Sequence, residues 1–271
     1  MLIDTHAHVN FKAFAEDYNK VLDDALKNNV WVINVGSHLE TSQKAIDIAN
    51  EYKEGVYALA GYHPAHVMNH LDDTRPEEFD INKLEVMLKE EKVVGIGETG
   101  LDFFRLPKDR EDEIMRKQKE VFQQHLDLAV KYNYPVTCHC RDEREEGIAY
   151  REILEMLNDY NGKIKTVIHC FSEDWEIAKK YLEAGIMISF TGICTFNKKA
   201  EEVQEVVKNI PLDKMMLETD CPYLSPEPFR GERNEPKNVE HIARKVAGIK
   251  GISFEEVAEQ TTKNAKEFFK I

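Results

Sequence analysis

His6 and His8 stand one residue apart at the end of the first apolar run, Leu2-Ile3-Asp4-Thr5-His6-Ala7-His8. On an extended strand residues i and i+2 point to the same side, so both imidazoles can converge on one metal ion. A lone His-x-His is a weak signal, but further His, Glu and Asp residues recur at the ends of later apolar runs. Glu98 closes Gly95-Ile96-Gly97-Glu98, His139 follows Val136–Cys138, His169 follows Thr166–Ile168, and Asp220 follows Met215–Leu217. Four histidines and two carboxylates exceed the needs of one tetrahedral ion and fit two ions bridged by a shared carboxylate and water. Nitrogen and oxygen donors admit Zn, Mn, Co, Fe, Ni or Mg, and several imidazoles favour transition metals over Mg. The expected cofactor is a pair of divalent ions, with Mg, Mn and Zn as candidates. The triplet Cys138-His139-Cys140 also invites a thiolate site. Parity argues against it: with His139 facing inward, both cysteines face outward and act as small core hydrophobes.

Elements that could carry these residues alternate along the chain. Short β-branched runs occur at Leu2–Thr5, Val30–Val35, Val56–Ala60, Val93–Ile96, Val136–Cys138, Thr166–Ile168, Ile186–Phe190 and Met215–Leu217. They are apolar on both faces, as expected for parallel strands covered by helices. Amphipathic stretches lie between them at Tyr18–Asn28, Thr41–Tyr52, Ile81–Glu90, Asp112–Tyr132, Glu145–Leu157, Trp175–Glu183 and Lys198–Asn209. Another follows the Pro222–Pro236 loop at Val239–Val246, and residues 254–269 form a terminal helix. Eight such repeats predict an α/β fold, a (β/α)8 TIM barrel forming a single domain over 1–271, with an open doubly wound sheet as the alternative. In a barrel, strand C-termini form the active-site rim, where the candidate ligands fall.

Bulk properties narrow the classes. The net charge of −14 argues against coating nucleic acid or membrane by bulk attraction, though bound cations can reverse the sign locally. No apolar stretch is long enough to span a membrane, and Met1-Leu2-Ile3-Asp4 does not read as a signal peptide. Five cysteines, Cys138, Cys140, Cys170, Cys194 and Cys221, are an odd count, several within apolar runs. They read as reduced thiols of a cytoplasmic protein. A P-loop and a Gly-x-Ser-x-Gly elbow are both absent.

Of the remaining histidines, His63 in Gly61-Tyr62-His63-Pro64 lies just past the third strand, on the same rim. It is weighed evenly between a substrate contact and a structural hydrogen bond. His38 follows the second strand, while His66, His70, His125 and His241 read as ordinary surface residues of loops and helices.

Taken together, Asp4-Thr5-His6-Ala7-His8, Gly61–Pro64, Gly97-Glu98-Thr99-Gly100-Leu101-Asp102, His139-Cys140-Arg141, His169-Cys170-Phe171-Ser172, Ser189–Gly192, Glu218-Thr219-Asp220-Cys221-Pro222-Tyr223-Leu224 and Arg233-Asn234-Glu235-Pro236 resemble the TatD family of metal-dependent deoxyribonucleases, amidohydrolase-like TIM barrels. The resemblance covers the chain from end to end, in the family's order. It implies a hydrolase cleaving DNA phosphodiesters with divalent metals, often as a 3′ exonuclease. Carried over residue by residue, it implies His6, His8, Glu98 and Asp220 around one metal, with Glu98 bridging to a second held by His139 and His169. Asp220 would then orient the attacking water and accept its proton. Two departures are visible: Thr99 where many relatives have Ile, and the charged segment 141–146 after the fifth strand.

Substrate phosphates need further cationic donors. Arg141 shares parity with His139 and is the first candidate, followed by Arg233 and Arg230; His63 could contact a phosphate or order a water. Tyr62, Phe103, Phe104, Tyr223 and Phe229 could stack on bases, although packing under the loops is the commoner use of such residues. The expected partner is single-stranded DNA or a frayed 3′ end, with no membrane and no obligate protein partner. Two other readings compete. The same centre could hydrolyse another ester or amide such as aminoacyl-tRNA, or the protein could bind metal or nucleic acid without catalysis. Glu98 on the fourth strand, where many cyclic-amide enzymes carry a carboxylated lysine, weighs toward the TatD type.

Overall fold

The computed structural model describes residues 1–67, 79–143, 147–160, 162–197 and 200–271. Strands β1 (Leu2–Ala7), β2 (Val30–Val35), β3 (Val56–Ala60), β4 (Val93–Asp102), β5 (Val136–Arg141), β6 (Thr166–Ile168), β7 (Met187–Phe190) and β8 (Met215–Leu217) lie side by side in chain order. All seven successive pairings are parallel. The sheet curls until β8 meets β1 through a single bridge, Ala7 to Cys221. This is a nearly closed (β/α)8 barrel, and it excludes the doubly wound alternative.

Helices α1 (Tyr18–Lys27), α2 (Leu39–Asn50), α3 (Ile81–Met87), α4 (Glu111–Tyr132), α5 (Ile148–Asn158), α6 (Trp175–Glu183), α7 (Glu201–Asn209), α8 (Val239–Lys250) and α9 (Phe254–Phe269) connect and flank the strands. Alternate strand residues explain the two cores. Val30 and Val32 of β2, with Val136, Cys138 and Cys140 of β5, pack against Phe122 of α4 and Ile153 of α5, between barrel and helices. Ile33 and Val35, Leu59, Val167 and Met216 point inward, and Phe268 and Phe269 of α9 plug the bottom of the barrel. Cys138 and Cys140 thus occupy the helix-facing side, as strand parity predicts. All five cysteines are free thiols. Among the described residues, no helix is long and apolar enough to cross a membrane.

Several elements differ from their sequence-derived bounds for local reasons. β1, β4 and β5 continue past their apolar runs, so His6, Glu98 and His139 lie within strands. Glycines 95, 97 and 100 interrupt the apolar pattern of β4 and hide its length. The Gly100 position permits no side chain: an added Cβ would stand 2.0 Å from the His139 carbonyl oxygen. α8 runs four residues beyond Val246, to Lys250, and ends at Gly251 with φ +68. The predicted helix starts at 145 and 198, residues 144–146 of the charged segment, and His70 fall outside the described residues.

His125 departs from the surface reading. It is fully buried on α4. Its Nδ1 donates to the Val121 carbonyl at 2.8 Å and its Nε2 accepts the Tyr62 amide N–H at 3.1 Å. It therefore fastens the loop after β3 to α4, and burial depresses its pKa to about 4. The unfolded chain, with an ordinary histidine pKa near ~6.5, takes up a proton that the folded protein refuses. Stability should therefore be full above that value, fall by up to ~3 kcal/mol as pH drops toward about 4, and level off below. Urea unfolding across this window should show a shallower loss in His125→Leu than in the native protein. Equal slopes would show that His125 is not the group responsible.

Candidate metal centre

Parity alone would turn three of the six candidate ligands, His6, His8 and Glu98, outward. In β1, Asp4 pairs with Val32 while Ala7 pairs with Asn34, so β1 holds one extra residue there. In β4, Ile96 pairs with Val136 while Thr99 pairs with Cys138, again one residue too many. A bulge of this kind shifts the phase of side chains along a strand. Leu2 and Ile96 face the helices, yet His6 and Glu98 face the barrel interior. Gly61 lets the strands approach at this point, since a Cβ there would stand 2.5 Å from the Gly97 carbonyl carbon.

The carboxylate of Glu98 sits between two pairs of histidines and presents one oxygen to each. Oε2 lies 3.5 Å from His6 Nε2 and 3.6 Å from His8 Nε2. Oε1 lies 2.9 Å from His139 Nδ1 and 2.8 Å from His169 Nε2. On the first side, His6 Nε2 and His8 Nε2 are 3.1 Å apart, and Asp220 Oδ1 is 3.4 Å from His8 Nε2. On the second, His139 Nδ1 and His169 Nε2 are 3.2 Å apart. Donor atoms around a tetrahedral ion with ~2.0–2.1 Å bonds stand ~3.3–3.4 Å from one another, close to these spacings.

The surrounding groups set which face of three of these rings, His8, His139 and His169, is free. His8 Nδ1 donates to the Val35 carbonyl at 2.9 Å, leaving Nε2 with a lone pair. Asp102 Oδ2 lies 3.2 Å from His139 Nε2 and Glu218 Oε1 lies 3.5 Å from His169 Nδ1. Each carboxylate takes the ring proton on its own side and turns the other nitrogen's lone pair toward Glu98. Asp102 is held in turn: its amide N–H donates to Gln118 Oε1 at 2.8 Å, and Gln118 Nε2 donates to its carbonyl at 3.0 Å. The result is a convergence of ring lone pairs on the two oxygens of Glu98, with His63 Nε2 also 3.3 Å from Oε1. Such an arrangement needs a cation at its centre, and it suits divalent metal ions on both sides of Glu98.

The electrostatics agree. Burial would raise Glu98, but His63, His169 and His139 hold it well below the usual carboxylate range. Asp102 is brought down to about 2, the His139 contacts outweighing burial. Asp220 is lowered against burial by His8 and His6. Burial also opposes charge on the rings, yet nearby carboxylates raise His8, His139 and His169. His6 is lowered by burial and by His169, whose ring stacks on it at 4.0 Å.

The cluster opens into a cleft of about 650 Å³ lined by His8, Phe11, His63, Phe104, Arg141 and Tyr223, among others. The Arg141 guanidinium carbon lies over the Phe104 ring, 3.9 Å from its centroid, with Asp102 Oδ2 4.0 Å from Nη1. His66 also lines the cleft rather than standing on open surface. Arg233, expected as a substrate contact, is not among the residues that line the cleft. Its guanidinium donates to both oxygens of the Asp17 carboxylate at 2.8 and 2.7 Å and to the Ala13 carbonyl, fastening the loop after β1. Arg230 stacks on Phe196 at 3.8 Å. Asn234, beside Arg233 and buried, donates to the Thr219 and Tyr223 carbonyls and so shapes the turn that carries Asp220. Asp102, Glu218 and Asn234 have roles that residue type alone did not suggest, although all three fall inside quoted motifs.

A (β/α)8 barrel bearing a His and carboxylate cluster at the C-terminal ends of its strands has the build of a metal-dependent hydrolase. Sequence comparisons supply the family. The family described as TatD related DNase matches residues 3–270. The uncharacterized metal-dependent hydrolase YabD of Bacillus subtilis (strain 168) is 36% identical over 275 residues, covering 100% of both chains. YcfH of Escherichia coli (strain K12), likewise named an uncharacterized metal-dependent hydrolase, is 36% identical over 100% of this chain and 96% of its own. Among solved structures, the TatD homolog YJJV from Escherichia coli K12 superposes with a TM-score of 0.85 at 25% identity, covering 100% of this chain and 98% of its own. The chain belongs to the TatD family and is a metal-dependent hydrolase.

Removing the Asp102 charge should loosen His139 without touching a lone pair that faces Glu98. Asp102→Asn is expected to weaken zinc binding by ~10- to 100-fold, as measured by competition with a chelating dye, with an unchanged circular dichroism spectrum. Native affinity in this variant would mean that His139 needs no partner to hold its orientation.

Proposed function

We propose that the centre is a two-metal phosphodiesterase acting on DNA, as a 3′-to-5′ exonuclease on single-stranded or frayed ends. The observation that carries the two-metal reading is the division of Glu98, with Oε2 toward His6 and His8 and Oε1 toward His139 and His169. His6, His8 and Asp220 would hold one ion, His139 and His169 the other, and Glu98 both. Divalent ions there would polarise a phosphoryl oxygen and lower the pKa of water. The choice of DNA draws on the family description and on Arg141, which lines the cleft.

The chain's own groups divide the remaining work. Asp220 is kept ionised beside His8, so it can orient water and accept its proton. Water oxygen adds to phosphorus, the bond from phosphorus to the leaving oxygen breaks, and that oxygen leaves with a proton. Arg141, supported from below by Phe104, offers its fork to a non-bridging phosphate oxygen. Asp102 holds His139 and limits the swing of Arg141. The free thiols are consistent with a cytoplasmic enzyme.

Single-stranded DNA labelled at its 5′ end, RNA and aminoacyl-tRNA should be incubated with the protein and Mg, Mn or Zn, each with and without EDTA. Stepwise, EDTA-sensitive shortening of the DNA from its 3′ end is expected. Asp220→Asn should lower kcat by at least ~10²-fold, and Arg141→Ala should act mainly on KM. Release of an amino acid alone would replace the nuclease with a deacylase, and no turnover of any substrate would leave metal or nucleic-acid binding.

A further inference from the structure

The proton position on His63 is dictated by its neighbours. The Ala65 amide N–H donates to His63 Nδ1 at 3.0 Å. That nitrogen therefore carries a lone pair, and the proton of the neutral ring resides on Nε2. The turn that makes this bond is itself anchored. The His63 amide N–H donates to the Ser37 carbonyl at 2.8 Å, and Pro64 opens the short turn that supplies the Ala65 amide. On the preceding residue, the Tyr62 amide is tied to buried His125.

Nε2 lies 3.3 Å from Glu98 Oε1, with the ring edge-on to His139 at 4.2 Å between centroids. The side chain is 15% exposed and lines the cleft. Two roles are closed to it. A nitrogen that bears a proton neither ligates a cation nor accepts a proton. A second ring proton on Nδ1 would point at the Ala65 N–H and forfeit that bond. What remains is a neutral hydrogen-bond donor on a rigid turn, aimed at the Oε1 side of the centre.

We infer that His63 is a catalytic residue that donates Nε2–H to an anionic oxygen of the substrate and keeps its proton throughout. The inference rests on the phosphodiester reading and deepens it by assigning a donor outside the metal ligands. A donor preorganised toward growing negative charge is worth ~10²–10³ in kcat.

Two substitutions separate this role from the alternatives. The amide nitrogen of His63→Gln reaches the place of Nε2 and restores the donor. The amide oxygen of His63→Asn takes the place of Nδ1, keeps the Ala65 bond and presents no donor to the centre. Both variants should hold as much zinc per chain as the native protein, read by elemental analysis. On single-stranded DNA, His63→Asn should lose ~10²-fold in kcat with little change in KM, and His63→Gln should recover most of the loss. Zinc lost from both variants would make His63 a ligand, and native kcat in His63→Asn would reduce it to a turn cap. Either result overturns the inference.

A native protein that leaves DNA intact would defeat the phosphodiester reading, and the donor role is then judged without turnover. Long-range 1H–15N correlations on the zinc-loaded protein should show His63 protonated at Nε2 only, and His63→Asn should bind inorganic phosphate ~10-fold more weakly by calorimetry. A proton on Nδ1, or phosphate binding equal to native, would overturn it.

Discussion

A buried carboxylate with both oxygens committed is the constraint on which the rest of the barrel depends. Glu98 is 4% exposed and stands among the imidazoles of His6, His8, His139 and His169, with His63 also within 3.3 Å of Oε1. Unpaired acceptors in a dry interior cost several kcal/mol, so the site has meaning only around positive charge. Every nearby feature serves that requirement. The β4 bulge turns Glu98 inward, Gly61 gives its backbone room, and Asp102 and Glu218 hold ring protons on the outer nitrogens of His139 and His169. The protein invests polar burial in a place where a hydrophobic core would be more stable, the usual trade at a functional centre.

Much of this was legible in the sequence because periodicity and punctuation were clear. Eight β-branched runs alternating with amphipathic stretches defined the barrel, and polar residues at the ends of those runs marked the rim. The placement of His6 and Glu98 was readable only as position along a strand. Their direction depends on two extra residues in pairing, and no pattern in a single sequence announces a bulge of that kind. The same limit applies to Asp102 and Glu218. An acidic residue near a histidine in the chain looks alike whether it orients the ring or faces water.

The arginines and the core histidine show a different limit. Arg233 and Arg141 are the same residue type, one in the loop after β8 and the other at the end of β5, yet Asp17 captures one while Phe104 and Asp102 display the other in the cleft. The partners lie 216 positions away in the first case, beyond any local reading. His125 occupies an apolar helix face where leucine would serve for packing. Its use emerges only when Tyr62, 63 positions earlier, is brought beneath it with an amide to satisfy.

The seam between β8 and β1 carries a consequence for synthesis of the chain. It is one backbone bridge wide, and it is fastened by the Asp4 carboxylate, which accepts the Thr219 amide at 2.8 Å and the Thr219 hydroxyl at 2.5 Å. These residues are 215 positions apart, and the plug residues Phe268 and Phe269 follow later still. A polypeptide leaving the ribosome amino end first exposes His6 and His8 long before Asp220 exists to stand opposite them. The nascent barrel therefore remains an unclosed staircase of βα units, open both at the seam and at its base. Competence arrives in one late step, with the arrival of the final eighth of the fold, so a truncated product is born without a working centre.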